Sequence, residues 1–110
     1  MPRSIYVVQT NPVRGMEEEF ADWYDNQHLA DVLDIPGFAS ARRFVRSQTQ
    51  REEDALTYPY NSLAIYEFDS EPRRALDGLT RAKENGLYLS PSLAEQRISI
   101  VFDPVSELGI

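Results

Sequence analysis

The 110-residue chain contains no cysteine, a single histidine and a single tryptophan. The missing cysteine removes disulfides, thiolate nucleophiles and Cys-ligated zinc together, and it fits a reducing compartment. No stretch approaches the ~20 apolar residues needed to span a bilayer. Met1-Pro2-Arg3-Ser4 runs into a strand-like segment without the pattern of a secretory leader. The expectation is therefore a cytoplasmic chain with no membrane partner. Basic residues are also scarce, 11 against 18 acidic for a formal charge of −7. Such a surface repels a phosphate backbone at long range, and the pairs Arg42-Arg43 and Arg73-Arg74 are too few for a nucleic-acid footprint. No phosphate loop, dinucleotide fingerprint or nucleophile elbow is present, which argues against ATP, NAD and Ser-His-Asp chemistry. At this length one domain, residues 1–110, with one modest core is expected.

Ile5 to Thr10 is a β-branched and aromatic run stopped by Asn11-Pro12, so it reads as a first strand. Both of its alternating sets, Ile5/Val7 and Tyr6/Val8, are apolar, whereas a strand with one wet face would alternate apolar with polar. From Met16 the period becomes helical. Met16, Phe20, Trp23 and Gln27 form a stripe, and Glu17-Glu18-Glu19 suit the first turn of a helix dipole. This helix runs from about Gly15 to His28, with a bent continuation to Leu33, until Ile35-Pro36-Gly37 breaks it. Phe38 to Ser47 reads as a second strand, with Ala39, Ala41 and Val45 on one side and Phe38 and Phe44 on the other. Gln48 to Asn61 is a long polar loop ending in Tyr58-Pro59-Tyr60, of a length that suits a lid or an interface arm. Ser62 to Phe68 gives a third strand, with Leu63/Ile65 opposed to Ala64/Tyr66/Phe68. Ser70 offers an N-cap to a second helix with Pro72 in its first turn. Its inner face carries Ala75, Leu76, Leu79 and Ala82, and Asn85-Gly86 stops it. Ile98 to Phe102 is the last strand.

The order β-α-β-β-α-β predicts an α+β, ferredoxin-like fold with a four-stranded antiparallel sheet. Two helices cover one face of such a sheet. The other face keeps Val, Ile, Leu or Phe on several strands, a patch larger than monomers usually expose. The same face of a second copy, related by a two-fold axis, is the simplest cover, so a homodimer is expected.

Chemistry concentrates between Trp23 and Phe38. On a regular helix Tyr24 and Asp25 lie four and three residues before His28, so the three side chains can meet. They offer an imidazole that titrates near neutrality, a carboxylate to fix its tautomer and a phenol to donate a hydrogen bond. The segment Trp23-Tyr24-x-x-x-His28-x-x-x-x-Leu33-x-x-Pro36-Gly37-Phe38, with Ala41-Arg42-Arg43-Phe44 downstream, resembles the EthD-like family of the dimeric α+β barrel superfamily. Ala30 departs from that pattern, in which many members carry proline two residues after the histidine. The resemblance implies two sheets packed face to face into a barrel, with a separate pocket in each subunit between sheet and helices, bordered by His28. Superfamily members include cofactor-free monooxygenases, isomerases, polyketide cyclases and haem-degrading enzymes.

The expected function is cofactor-independent proton-transfer chemistry, of isomerase, cyclase or lyase type, on an apolar or aromatic small molecule. His28, Tyr24 and Asp25 are the candidate catalytic residues, and Trp23, Arg43, Phe44 and Tyr66 the candidate substrate contacts. Cofactor-free oxygenation of a phenolic substrate needs the same pocket and base. A non-catalytic binding protein is the rival reading, with His28 a hydrogen-bonding residue near a helix end. Arg42 and Arg43 alternate in direction, so at most one faces a given cavity. Asp22, Asp25 and His28 could in principle hold a metal, and His28 a haem, but one histidine beside acids on one helix is thin support. No metal and no cofactor are expected.

Overall fold

The computed structural model describes residues 3–109. Met1, Pro2 and Ile110, the ends of the expected domain, lie outside the described residues. Four strands form one antiparallel sheet: β1 (Ile5–Thr10), β2 (Phe38–Val45), β3 (Ser62–Phe68) and β4 (Ile98–Phe102). Their spatial order is β2-β3-β1-β4, the ferredoxin-like arrangement. Between β1 and β2 the chain is helical as α1 (Glu17–Trp23), a π-helical turn (Tyr24–His28) and α2 (Leu29–Leu33). Between β3 and β4 it forms α3 (Pro72–Glu84). The expected two helices and four strands are all present, and the 48–61 loop contains a short 3-10 segment, Glu53–Thr57.

The helices cover one face of the sheet. Along β3 burial alternates strictly: Ala64, Tyr66 and Phe68 are buried beneath the helices, and Leu63, Ile65 and Glu67 face the other way. Phe20, Trp23 and Tyr24 from the first helical segment, Val32 from α2, and Ala75 and Leu79 from α3 complete one contiguous core with Phe38. The opposite sheet face follows from the register. Three rows run across it: Phe44, Leu63, Gln9 and Ile98; Arg42, Ile65, Val7 and Ile100; Ser40, Glu67, Ile5 and Phe102. Eight of these twelve side chains are apolar, and Phe102 at its edge is 51% exposed. The sequence pattern that made both strand faces apolar is therefore real, with one face covered within the chain and one not.

Two local irregularities differ from the regular reading. β2 carries a bulge, since Phe38 opposes Phe68 while Ser40 opposes Glu67. The extra residue reverses the alternation, placing Phe38 on the helix side with Ala41 and Arg43, and Phe44 on the open face. Phe38 and Phe44 thus do not share a side. At α3, Glu71 occupies the cap position without a side-chain cap bond. The Ser70 hydroxyl instead donates to the Glu71 carbonyl at 3.2 Å. Ser70 is drawn there by the tight turn at Gly37, whose φ of +106° suits glycine and whose Cα lies against Ser70 and Ala75.

Candidate functional site

The π-helical turn decides which side chains meet. Its backbone bond runs from the Leu29 N–H back to the Tyr24 carbonyl, five residues rather than four. One residue is in effect inserted into the turn, a device frequent at functional sites. Residues five apart then come onto one face, and Trp23 and His28 stack with ring centroids 4.5 Å apart and planes 28° from parallel. Tyr24 meets the same imidazole edge-on at 5.1 Å. Gln27, which a regular helix would put on the apolar stripe, is exposed.

The same turn separates Asp25 from His28. Asp25 faces outward and accepts two hydrogen bonds from Arg43, from Nε at 2.6 Å and Nη2 at 2.9 Å. The expected Asp25–His28 dyad is absent, because the bidentate guanidinium offers the carboxylate a stronger partner than a neutral imidazole does. The pair holds the Asp25 carboxyl below its ordinary range, chiefly through the hydrogen bonds from Arg43. Arg43, its side chain 13% exposed against 46% for Asp25, lies over the Tyr24 ring at 5.7 Å. It buttresses the back of Tyr24 and lines a different surface groove with Phe20 and Ser62. Phe44 sits on the open sheet face under Arg42, 4.9 Å from its guanidinium carbon. Asp25, Arg43 and Phe44 therefore do not line the cavity that holds His28. Asp22, bonded to Asn26 at 2.7 Å, does not join Asp25 and His28 as a metal cluster. Among the described residues no group of three His, Cys, Asp or Glu converges in a way that could hold a metal ion.

Trp23, Tyr24, His28 and Tyr66 do come together. They line a cavity of about 50 Å³ between the sheet and the helices. Its floor is the helix side of β1, with Tyr6, Val8 and Thr10, and its far wall is Leu89 and Leu93 from the irregular segment before β4. Lys83 and Arg97, both exposed, stand at its mouth. The walls are mostly apolar, yet four buried polar atoms there lack a partner: Thr10 Oγ1, Trp23 Nε1, His28 Nδ1 and the Tyr66 hydroxyl. Buried polar groups are ordinarily satisfied, since leaving one unpaired costs about 1–3 kcal/mol. The Tyr24, Tyr66 and Thr10 hydroxyls influence one another's ionisation, but neither Tyr66 nor Thr10 meets its neighbour in good hydrogen-bonding geometry.

Burial sets the protonation states. Loss of solvation, reinforced by Lys83 and Arg97 and opposed by Asp31, lowers His28 to about 4. The imidazole expected to titrate near neutrality is thus neutral at pH 7. Burial also pushes both Tyr24 and Tyr66 upward, so each stays a neutral phenol. The site holds neutral donors and one neutral imidazole. Thr10, Lys83, Leu89, Leu93 and Arg97 were not foreseen from sequence. They reach the site from distant parts of the chain, and only the polar threonine ending an apolar strand gave any local sign.

No family model matches the sequence, and no curated protein matches it. Solved structures do. The haem-degrader MhuD from Mycobacterium tuberculosis, with two haems bound in its active site, superposes with a TM-score of 0.65 at 13% identity, covering 96% of this chain and 99% of that one. A dimeric ferredoxin-like protein of unknown function from Jannaschia sp. CCS1 gives 0.61 at 14% identity, covering 94% and 100%. An ethyl tert-butyl ether degradation family protein from Bacillus halodurans gives 0.53 at 13% identity, covering 94% and 100%. The fold also occurs in a Shewanella loihica protein provisionally named a monooxygenase, with a TM-score of 0.61. At such identities the likeness establishes the fold: the chain is a ferredoxin-like α+β protein, similar over nearly its whole length to structures that include an EthD-family member.

Proposed function

We propose that this chain is a small enzyme that binds an apolar or aromatic molecule in the His28 cavity and catalyses proton transfer on it. The observation that carries the reading is the convergence of four unpartnered polar atoms on one otherwise apolar cavity. A ligand oxygen held by the Trp23 N–H and the Tyr66 hydroxyl would satisfy two donors at once. Negative charge developing on that oxygen, as in an enolate, would be stabilised by donors already in place. His28, unprotonated at pH 7, would accept the proton. Its low pKa makes it a weak base, and that weakness is offset as the substrate's charge develops beside the imidazolium. Asp25 and Arg43 would serve as a brace behind Tyr24, outside the chemistry. A cavity of about 50 Å³ is below the usual 300–1,000 Å³ of small-molecule sites. The fitting ligand is a single small ring or short chain, seated with some shift of Leu89 and Leu93. A porphyrin does not fit this space, so no step is assigned to haem.

Cofactor-free oxygenation is the second reading, favoured by the fold's occurrence in a chain named a monooxygenase. There His28 would take the proton of a phenolic substrate, and the phenolate would supply the electrons to oxygen. One experiment covers both readings. Small aryl ketones and phenols are incubated with the protein in deuterated buffer, with carbon-bound proton exchange followed by NMR and oxygen by electrode. Acceleration of exchange by about 10²–10⁴, lost in His28→Gln, supports proton transfer; oxygen uptake lost in the same variant supports oxygenation. Binding without either marks a ligand-binding protein and overturns the enzymatic reading.

We further infer that the open sheet face is covered by a second copy. Its central rows are largely apolar, the same face on each copy makes a self-complementary contact, and the Jannaschia protein of this fold is described as dimeric. Sedimentation at several concentrations tests it. Ile100→Glu at the middle of the face is expected to give folded monomers, and a wild-type chain that is monomeric throughout would exclude the dimer.

A further inference from the structure

The mouth of the His28 cavity is built from two cations on a strongly acidic protein. Lys83 stands in the last turn of α3 and Arg97 immediately before β4, and both line the cavity. Each acts electrostatically on the same imidazole, and Arg97 acts on Lys83, lowering it together with burial. Among the described residues neither belongs to an ion pair, although the chain carries 18 acidic side chains. The α3 dipole favours a cation at Lys83, but it gives no reason for a second cation to be brought beside it from another element. Two like charges held together without a counter-ion cost stability, and an anion between them would remove that cost.

We propose that the cavity selects ligands bearing an anionic group, a carboxylate or an equivalent oxyanion, on a small ring or short apolar chain, with Lys83 and Arg97 clamping the anion at the mouth. The apolar part would lie against Val8, Leu89 and Leu93, below the clamp. The inference rests on the cavity being a ligand site, and it adds the class of ligand. It also orients the ligand, with its charged end outward and its reacting carbon toward His28.

The single tryptophan gives the test, because its indole N–H is one resolved NMR signal and lies in the cavity wall. Benzoate and benzamide, nearly equal in size and shape, are titrated against wild type and against Lys83→Gln/Arg97→Gln. Both positions are exposed, so the variant is expected to fold. Wild type should bind benzoate about tenfold more tightly than benzamide, the scale of a charge-assisted contact at a partly screened site. The variant should lose that preference with its benzamide affinity unchanged, and added salt should weaken only benzoate. If wild type binds both equally, or the variant keeps the preference, the clamp is refuted while the cavity stands as a ligand site. If neither compound moves the indole signal, the cavity is not a site for such rings and the clamp falls with it.

Discussion

The depressed His28 pKa makes acid sensitivity a direct consequence of the site. An unfolded histidine titrates near about 6.5, while folded His28 titrates at about 4. Between these values the unfolded chain binds the extra proton and the folded chain does not. Stability is therefore fully present above about pH 6.5 and is lost progressively as pH falls toward 4. Integrating the two titrations gives a loss of about 2 kcal/mol at pH 5 and about 3 kcal/mol at pH 4, relative to neutrality. Asp25 contributes in a separate, lower window, because its carboxyl is held down by Arg43 and that stabilisation fades only as the carboxylate itself protonates. Urea unfolding followed by Trp23 fluorescence at fixed protein concentration measures the first window. In His28→Gln, which cannot titrate, the change between pH 7 and about pH 5 should shrink by about 2 kcal/mol. Since there is one histidine, its ring protons also report the pKa in the folded protein without assignment. A measured value near 6.5, or the same pH dependence in the variant, would refute burial as the controlling effect.

Other consequences follow from single contacts. Asp25→Asn weakens the bidentate grip on Arg43 and should cost about 1 kcal/mol of stability. The His28 NMR titration should not move, whereas an Asp25–His28 dyad would shift it. Tyr66→Phe removes a buried hydroxyl that lacks a partner, so stability should hold or rise by up to about 1 kcal/mol. Ligand affinity or turnover should fall in the same variant, and a clear loss of stability would mean that the hydroxyl is satisfied inside the fold. Gly37→Ala places a methyl group 2.5 Å from Ser70 Oγ and 2.8 Å from Ala75 Cβ at a positive φ. Its cost should reach about 2–3 kcal/mol in urea unfolding, against almost nothing for Gly86→Ala if the strain were conformational alone.

Much of the fold was readable because the strands announce themselves locally. Ile5–Thr10, Ser62–Phe68 and Ile98–Phe102 occupy the spans their β-branched and aromatic runs indicate. Asn85-Gly86 and Pro36-Gly37 mark helix ends through backbone preferences that no distant contact needs to supply. The two errors of facing share one origin. A period of two or of 3.6 assigns faces only while the count of residues per repeat is unbroken. A bulge near Ala39 and a π-helical turn at Tyr24–His28 each insert one residue into that count, and composition gives neither away. The bulge turned Phe44 to the open face. The inserted residue in the helix carried Gln27 out, brought His28 onto Trp23 and released Asp25 to Arg43.

That last rearrangement bears on why the helix is irregular at this point. A regular α-helix from Glu17 to Leu33 would leave the imidazole near Asp25, where it could be protonated at neutral pH and held by a carboxylate. The π turn places it instead among aromatic rings, without a carboxylate partner and with Nδ1 unbonded. An arrangement that gives up a hydrogen bond and accepts the desolvation of a histidine lowers the stability of the fold. Nothing in the core demands it, since Phe20, Trp23 and Val32 could pack from an uninterrupted helix with the same apolar stripe. The expense is incurred only around the cavity, where Thr10, Trp23 and Tyr66 also leave polar atoms unpaired. Strain and unsatisfied groups gathered at one place are what a binding site requires and a structural core avoids. The same logic separates His28 from a helix-capping residue. A cap would show a bonded ring at a helix end, and this ring lies mid-segment, stacked and open to the cavity.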